Sequence, residues 1–387
     1  MNINLNRNDF RLKKIVSLES FIFMAIFAFI FGSMAKIMGA VNMVNTIMNT
    51  AYHLLMNVCW YIMAIAVVAG GLSRLFSEFG IIDLLNILLS KLMKPLYDLP
   101  GAASLGILSC YFSDNPAILT LTEDKNFLSY FKRYQLPALT NLGTAFGMGL
   151  IITTTMMGMD VDGSIKAALI GNLGAIIGSL VSVRIMLIFT KAFYNDLAKE
   201  DVLPNREGVE PGMRRIGKGS PLERAINSML AGGKSGVDLG LQIVPGVILI
   251  CTLVLMLTNG PSANGTYTGA ANEGVGFLPF LGEKLSFILK PLFGFSSPEA
   301  IAVPITALGS AGAAIGLIPN MVKQGLVNAN DIAVFTSICM CWSGYLSTHI
   351  AMMDAIKANE LTGKAIISHT IGGLVAGIAS NMLFRLL

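Results

Sequence analysis

Residues 80–190 of this chain occur a second time about 196 positions later. Gly80 through Tyr97 (GIIDLLNILLSKLMKPLY) realigns with Gly276 through Phe293 (GFLPFLGEKLSFILKPLF). The same shift pairs Ser113-Asp114-Asn115-Pro116 with Gly309-Ser310-Ala311-Gly312, and Thr140 with Thr336. After a small gap, Lys166-Ala167 and Gly174 match Lys364-Ala365 and Gly372. An internal duplication in an apolar chain is the signature of a transporter built from two repeats.

Composition sets the solvent. Hydrophobic residues make up 54% of the chain and charged residues 13%, against about 25% charged in a soluble domain. This is the make-up of an integral membrane protein. The net charge of +4 gathers at the N-terminus and after Lys191, as expected of cytoplasmic loops rather than nucleic-acid binding. Cys59, Cys110, Cys251, Cys339 and Cys341 lie in apolar segments without metal or disulfide spacing and read as buried small residues. Arg11, Lys13 and Lys14 precede an apolar run from Phe21 to Ala35. No A-x-A-like cleavage site follows, so the run reads as a first membrane helix rather than a signal peptide.

Seven full spans are expected, starting near Phe21, Asn57, Leu136, Ile165, Leu239, Ile332 and Ala365. Each offers enough apolar residues to cross a hydrocarbon core of about 30 Å. Two further stretches are interrupted: Leu99–Thr120 at Ser113-Asp114-Asn115-Pro116, and Ser297–Asn320 at Gly309-Ser310-Ala311-Gly312. Both read as helix–break–helix hairpins that enter the membrane and return on the same side. Asp83–Leu96 and Glu283–Leu292 are amphipathic, too short to span, and expected along the membrane surface.

Positive charge orients this scheme. With the N-terminus inside, Val41–Met56, Met159–Gly163 and Thr258–Gly276 fall outside and carry no Lys or Arg. Arg74, Lys91, Lys94, Lys125, Lys132, Arg133 and the basic linker fall inside, as the positive-inside rule asks. Lys284, Lys290 and Lys323 are exceptions. Three spans and one hairpin per repeat invert the second copy, so a pseudo-two-fold axis in the membrane plane is expected. Fully spanning hairpins would instead make the copies parallel and put the basic linker outside. The expected organisation is an all-α integral membrane protein: an N-terminal segment over 1–56, repeat 1 over 57–194, a basic linker over 195–235 and repeat 2 over 236–387.

The hairpin breaks are the first site candidates. Bare backbone at membrane depth is tolerated only beside protein or a water-filled cavity. Pro116 and Asn115 suit the first position and cap of a new half-helix, whose free N–H groups would face a polar ligand. Gly309, Ser310 and Gly312 permit close backbone approach and supply a hydroxyl. Asp114 is an intramembrane carboxylate, a functional candidate unless it merely caps locally. Ser113 flanks it. Thr140, Asn141, Thr336 and Ser337 are polar where a span need not be, and would line a cavity unless they serve helix packing. Gly143, Gly147, Trp342, Ser343 and His349 accompany them. Asn172 and His369 lie in the last helix of each repeat, where His369 is either a packing residue or a titrating one. Gly232-Gly233-Lys234-Ser235 ends like a phosphate loop, but Ser228 stands where its first glycine belongs and no strand precedes it. No zinc motif or nucleophile elbow is present, so no enzyme activity is expected.

This pattern resembles the Gate, or nucleoside-recognition, domain family, which includes the spore maturation A and B membrane proteins. It is also similar to the membrane core of ferrous iron transporters and, more distantly, to concentrative nucleoside transporters. The resemblance covers most of 57–187 and 239–387. Pro298-Glu299-Ala300 through Gly309-Ser310-Ala311-Gly312 is similar to the spore-maturation B type, and the first half resembles its partner, so the chain resembles a fusion of the two. The breaks hold no cysteine in an iron-pathway arrangement, although Cys110 lies just before one, which disfavours iron.

Together these readings predict a secondary transporter of a small polar organic solute (nucleoside, amino acid or short peptide) working by alternating access in the bacterial inner membrane. No cofactor is expected beyond a coupling Na⁺ or H⁺, because no ATP-binding motif exists. The expected partners are the solute and the lipid bilayer, with a homo-oligomer left open and no nucleic acid. The alternative is a non-transporting interaction protein of sporulation or envelope type.

Overall fold

The computed structural model describes residues 16–113, 117–118, 128, 130–194, 218–262, 264–343 and 345–387. It is all-helical in its architecture. Helices α1 (Leu18–Met38) and α2 (Ala40–Leu54) are separated by Gly39, at φ +81°. A π turn over Leu55–Cys59 carries α2 without interruption into α3 (Trp60–Glu78). The span expected to start near Asn57 therefore begins at Ala40, and the segment 41–56, expected as an outer loop, is helical. Asn42, Asn49 and Thr50 recur at helical spacing on α2 and bond the loop after residue 258. Their partners are Tyr267 O at 3.0 Å, Gly269 O at 2.8 Å and Asn272 N at 2.8 Å.

The described helices of the two sequence copies follow in similar order. In the first, α4 (Ile81–Tyr97) is followed by α5 (Ala103–Phe112). Ile118 is fully buried, close to Gly106 and Gly143. Next come α6 (Leu136–Thr144), α7 (Gly149–Met157) and the long α8 (Ser164–Tyr194). The second repeat opens with α9 (Pro221–Gly246), a π turn over Val247–Cys251 and α10 (Thr252–Thr258). Residues 221–235, expected as linker, are thus the first turns of α9. Helices α11 (Phe277–Lys284) and α12 (Ser286–Phe293) match α4. A 79° bend leads from α12 into the segment Pro298–Gly309, which contains α13 (Ala302–Gly309). Helices α14 (Ala311–Lys323), α15 (Ala329–Cys341), α16 (Tyr345–Ala355) and α17 (Thr362–Leu386) complete the chain.

Among the described residues, five helical stretches are long and apolar enough to cross a membrane, or six if the bent pair counts as one. Helices α13 and α14 pack against each other. At about 1.5 Å per residue neither reaches across about 30 Å of hydrocarbon. The spans expected near Leu136 and Ile332 are both broken. The first is interrupted at 145–148, where Met148 takes φ +54°, and the second between Cys341 and Tyr345. The breaks fall at equivalent places in the two copies.

Small residues set the helix crossings. An added Cβ at Gly232, Gly236 or Gly240 would strike Gly70, Ala66 or Met63. One partner number rises as the other falls, so α3 and α9 are antiparallel. Gly232, the candidate phosphate-loop residue, is a packing glycine in mid-helix. Helices α8 and α17 show the same order. An added Cβ at Gly174 would strike Ser380, one at Gly178 would lie 2.5 Å from Ala376 Cβ, and one at Gly372 would lie 2.5 Å from Ser182 Cβ. A shift of 198 converts the first pair into the last and maps Gly178 onto Ala376. Such reciprocal contact is what a two-fold axis through Gly178 and Ala376 produces.

Candidate functional site

Where the two broken spans meet α8 and α17, a buried polar network forms. Asn141, from the end of α6, is its hub. Its Nδ2 donates to Ser182 Oγ at 2.9 Å, Ser368 Oγ at 2.7 Å and Ala365 O at 3.1 Å. The carbonyl can only accept, which fixes the amide orientation. Ser182 Oγ in turn lies 3.0 Å from His369 Nδ1, and His369 Nε2 bonds Cys341 O, the last carbonyl of α15. His349 Nδ1 bonds Tyr345 O, the first carbonyl of α16. The two histidines thus hold the carbonyls at the end of α15 and the start of α16, with their rings 4.7 Å apart. Trp342 Nε1 donates to His369 O at 3.4 Å, and Ser343 Oγ reaches Thr144 O at 3.4 Å, where α6 ends. The two breaks therefore touch.

Asn141 Oδ1, Thr140 Oγ1 and His349 Nε2 are buried without a hydrogen-bond partner among the described residues. Buried polar atoms are normally paired, and an unpaired one costs about 1–3 kcal/mol. Thr140 and Asn141 lie on α6 and His349 on α16, which pack against each other.

The predicted residues do not all gather at this junction. Thr140 and Asn141 belong to this junction. Thr336 and Ser337 are fully buried, but their hydroxyls bond back to Ile332 O at 2.6 Å and Val334 O at 2.9 Å. An added Cβ at Gly171 would lie 2.5 Å from Thr336 Cβ, so Thr336 seats α15 on α8. Ser310 caps α14, accepting from Ala313 N at 3.2 Å, and packs near Gly246; Gly309 beside it is exposed. Ser310 therefore belongs to the second hairpin rather than to the hydrogen-bonded junction. Ser113 is exposed and lines a cavity of about 470 Å³ together with Ser109, Ser73, Ser77, Arg74 and Asp83. Asp114 and Asn115 lie outside the described residues. Ser182 and Ser368 escaped the sequence reading because serine on an apolar helix carries no distinguishing pattern. The breaks were signalled only by Gly143, Gly147 and the polar run Trp342-Ser343.

No family model matches the chain. An uncharacterized protein of Alkalihalophilus pseudofirmus is 24% identical over 196 residues, covering 49% of this chain and 42% of that protein. Among solved structures, CNTnw in an inward-facing substrate-bound state superposes with a TM-score of 0.53 at 14% identity, over 95% of this chain and 85% of that one. A doubly substituted CNTnw in an outward-facing state gives 0.50 at 12%, over 95% and 86%. Together with the apolar spans, these likenesses give the chain a multi-pass membrane fold like that of CNTnw.

Proposed function

We propose that this protein is a secondary transporter of a small polar organic solute, with nucleosides the first class to test. The observation that carries the reading is the meeting of two broken spans, at equivalent places in the two copies, around buried polar atoms that lack partners among the described residues. Broken helices at the interface of internal repeats are the device by which transporters expose backbone and side-chain polarity to a solute near the bilayer midplane. Thr140 and Asn141 would contact the solute at the junction. Ser113, Asp114, Asn115, Gly309 and Ser310 would close on it from the hairpin breaks, while Thr336 and Ser337 hold the helices. The cavity lined by Ser113 and Arg74 is the proposed entrance on the inner face. The repeats 57–194 and 236–387 would be inverted in the inner membrane, the N-terminus inside, and would rock about the α8–α17 crossing, driven by H⁺ or Na⁺. A kinship to fused spore-maturation A and B proteins belongs to this proposal too.

The test is uptake into proteoliposomes of radiolabelled uridine, leucine and a dipeptide, under an imposed proton or sodium gradient. One solute class should accumulate, and Asn141→Leu in folded protein should reduce its uptake at least tenfold. Absence of all three under both gradients counts against the reading.

A further inference from the structure

The histidine pair has an asymmetry that carries further than packing. A carbonyl accepts but never donates, so the bond to Cys341 O puts the proton of neutral His369 on Nε2. Its Nδ1 then holds a lone pair, which Ser182 Oγ at 3.0 Å fills with its own proton. Ser182 Oγ is free to donate there because it already accepts from Asn141 Nδ2. Both nitrogens of His369 are thereby committed. His349 differs. Its Nδ1 donates to Tyr345 O, so Nε2 carries the lone pair, and that atom is buried without a partner among the described residues. His349 is 0% exposed and His369 1% exposed.

We propose that His349 Nε2 is the binding site for one proton, and that His369 is the neutral neighbour that limits the pair to one. The inference rests on the transport reading for its coupling role, but the proton site itself does not. Binding consumes the Nε2 lone pair and leaves both ring nitrogens as N–H donors. The bond to Tyr345 O persists, and the new N–H requires an acceptor. Two orphan oxygens, Asn141 Oδ1 and Thr140 Oγ1, sit on α6, which packs against α16. Protonation therefore draws the far side of one break toward the near side of the other, across the junction where the solute would sit. A second proton on His369 would place two cations 4.7 Å apart in a buried site, where Coulomb repulsion is poorly screened.

Among the described residues, the other charged groups on the surrounding helices are engaged or distant. Tyr345 stacks on His369 with centroids 6.3 Å apart and lies 6.2 Å from His349. Helix α15 brings Cys339 and Cys341, and Asp331 at its far end, where it bonds Ser296 and Asn328. On α8, Lys166, Arg184 and Lys191 are engaged by Leu387 O, the α4 carbonyls and Asp98. On α17, Lys364 lies over the Phe189 ring at 4.8 Å and Arg385 is at the far end. Asp354 at the end of α16 accepts from Asn359, Lys357 and Glu360 just beyond α16 are exposed, and α12 carries the exposed Lys290. Helices α6 and α13 contribute no titratable side chain.

The chain has three histidines, so imidazole ¹⁵N NMR of the full-length protein in nanodiscs resolves the pair, with His53 assigned by His53→Gln. Between pH 8 and pH 4, His349 should pass from one N–H to two while His369 keeps its Nε2–H form. Ser182→Ala frees His369 Nδ1, so the proton should then divide between the rings with a sum still near one. A silent His349, a His369 that titrates first, or a sum of two overturns the proposal. For coupling, folded His349→Gln should lose uridine accumulation driven by a pH gradient, at least tenfold, while uridine counterflow at equal pH persists. Retained gradient-driven accumulation overturns the coupling role. If the unmodified protein shows no uridine counterflow, the nucleoside reading fails instead, and the NMR titration still decides the proton site.

Discussion

At the scale of single residues, the same polar side chain serves packing in one place and leaves an opening in another. Thr336 and Thr140 are repeat mates, yet one hydroxyl is bonded to its own helix and the other has no partner among the described residues. Thr140→Val removes an unsatisfied group at constant shape, so Tm should stay level or rise while uridine uptake falls. Loss of Tm with unchanged uptake would make Thr140 a packing residue only. Asn141→Leu strips donors from two serines and a carbonyl and should cost about 1–3 kcal/mol for each acceptor left unpaired. Outside the spans, Asp98 sits between Lys94 Nζ at 2.5 Å and Lys191 Nζ at 2.8 Å. Partial burial opposes its charge, but the hydrogen bonds and charges of Lys191 and Lys94 prevail and hold the carboxyl below its ordinary range. Its contribution to stability is therefore complete above the unfolded carboxylate pKa of about 4 and is lost as pH falls through the lower folded value. A thermal-unfolding series from about pH 6 to pH 2 should show that loss, and Asp98→Asn should flatten it.

At the scale of elements, the second hairpin was legible because Gly309, Ser310 and Gly312 interrupt an apolar run, whereas the first break, at 114–116, lies outside the described residues. The second hairpin appears as α13 and α14 about Gly309 and Ser310. The breaks in the next span were not legible. Leu136–Met157 has the hydropathy of one continuous span, and Met148 is the last residue to expect at a left-handed position. Tertiary contacts impose that conformation: Met148 is buried in the core, and a Cβ on neighbouring Gly149 would strike Tyr111. A left-handed non-glycine residue carries roughly 1–2 kcal/mol of strain. Met148→Gly should recover part of it, less the lost packing of the side chain. Uptake should be maintained if strain only sets the break, and should drop if the stiffness of 145–148 shapes the site. Comparing Tm with uridine uptake for this variant separates the two. The second break shows what sequence reading lacks in general: its boundary carbonyls are held by His349 and His369, one within α16 and the other on a distant helix.

At the scale of the whole molecule, the duplication in sequence becomes reciprocal contact between α8 and α17, and the two copies solve one mechanical problem differently. The C-terminal end of α4 is held by Arg184, whose Nε and Nη2 bond Leu96 O and Pro95 O at 2.8 Å each. The corresponding carbonyls of α12, Leu292 O and Pro291 O, are held by Asn381 at 2.9 and 3.4 Å. The left-handed residue that follows is Asp98 among lysines in the first copy and Gly294 in the second, where Asn330 bonds its carbonyl at 3.1 Å. Lys132, Arg133 and Lys191 crowd the first site; Lys290 and Arg385 keep a smaller positive charge near the second. A more and a less positively charged version of one joint is what opposite membrane faces would select. Parallel repeats would leave both joints on one face with no reason to differ. The five native cysteines are buried, so single cysteines at exposed positions report accessibility against a low background. Lys91→Cys on α4 and Lys284→Cys on α11 are the positions that the inverted arrangement would put on opposite faces. In intact cells a membrane-impermeant maleimide should label Lys284→Cys at once and Lys91→Cys only after permeabilisation. The reverse order would turn the molecule over while keeping its repeats inverted; labelling of both from one side would make the repeats parallel and remove the basis for rocking about α8 and α17.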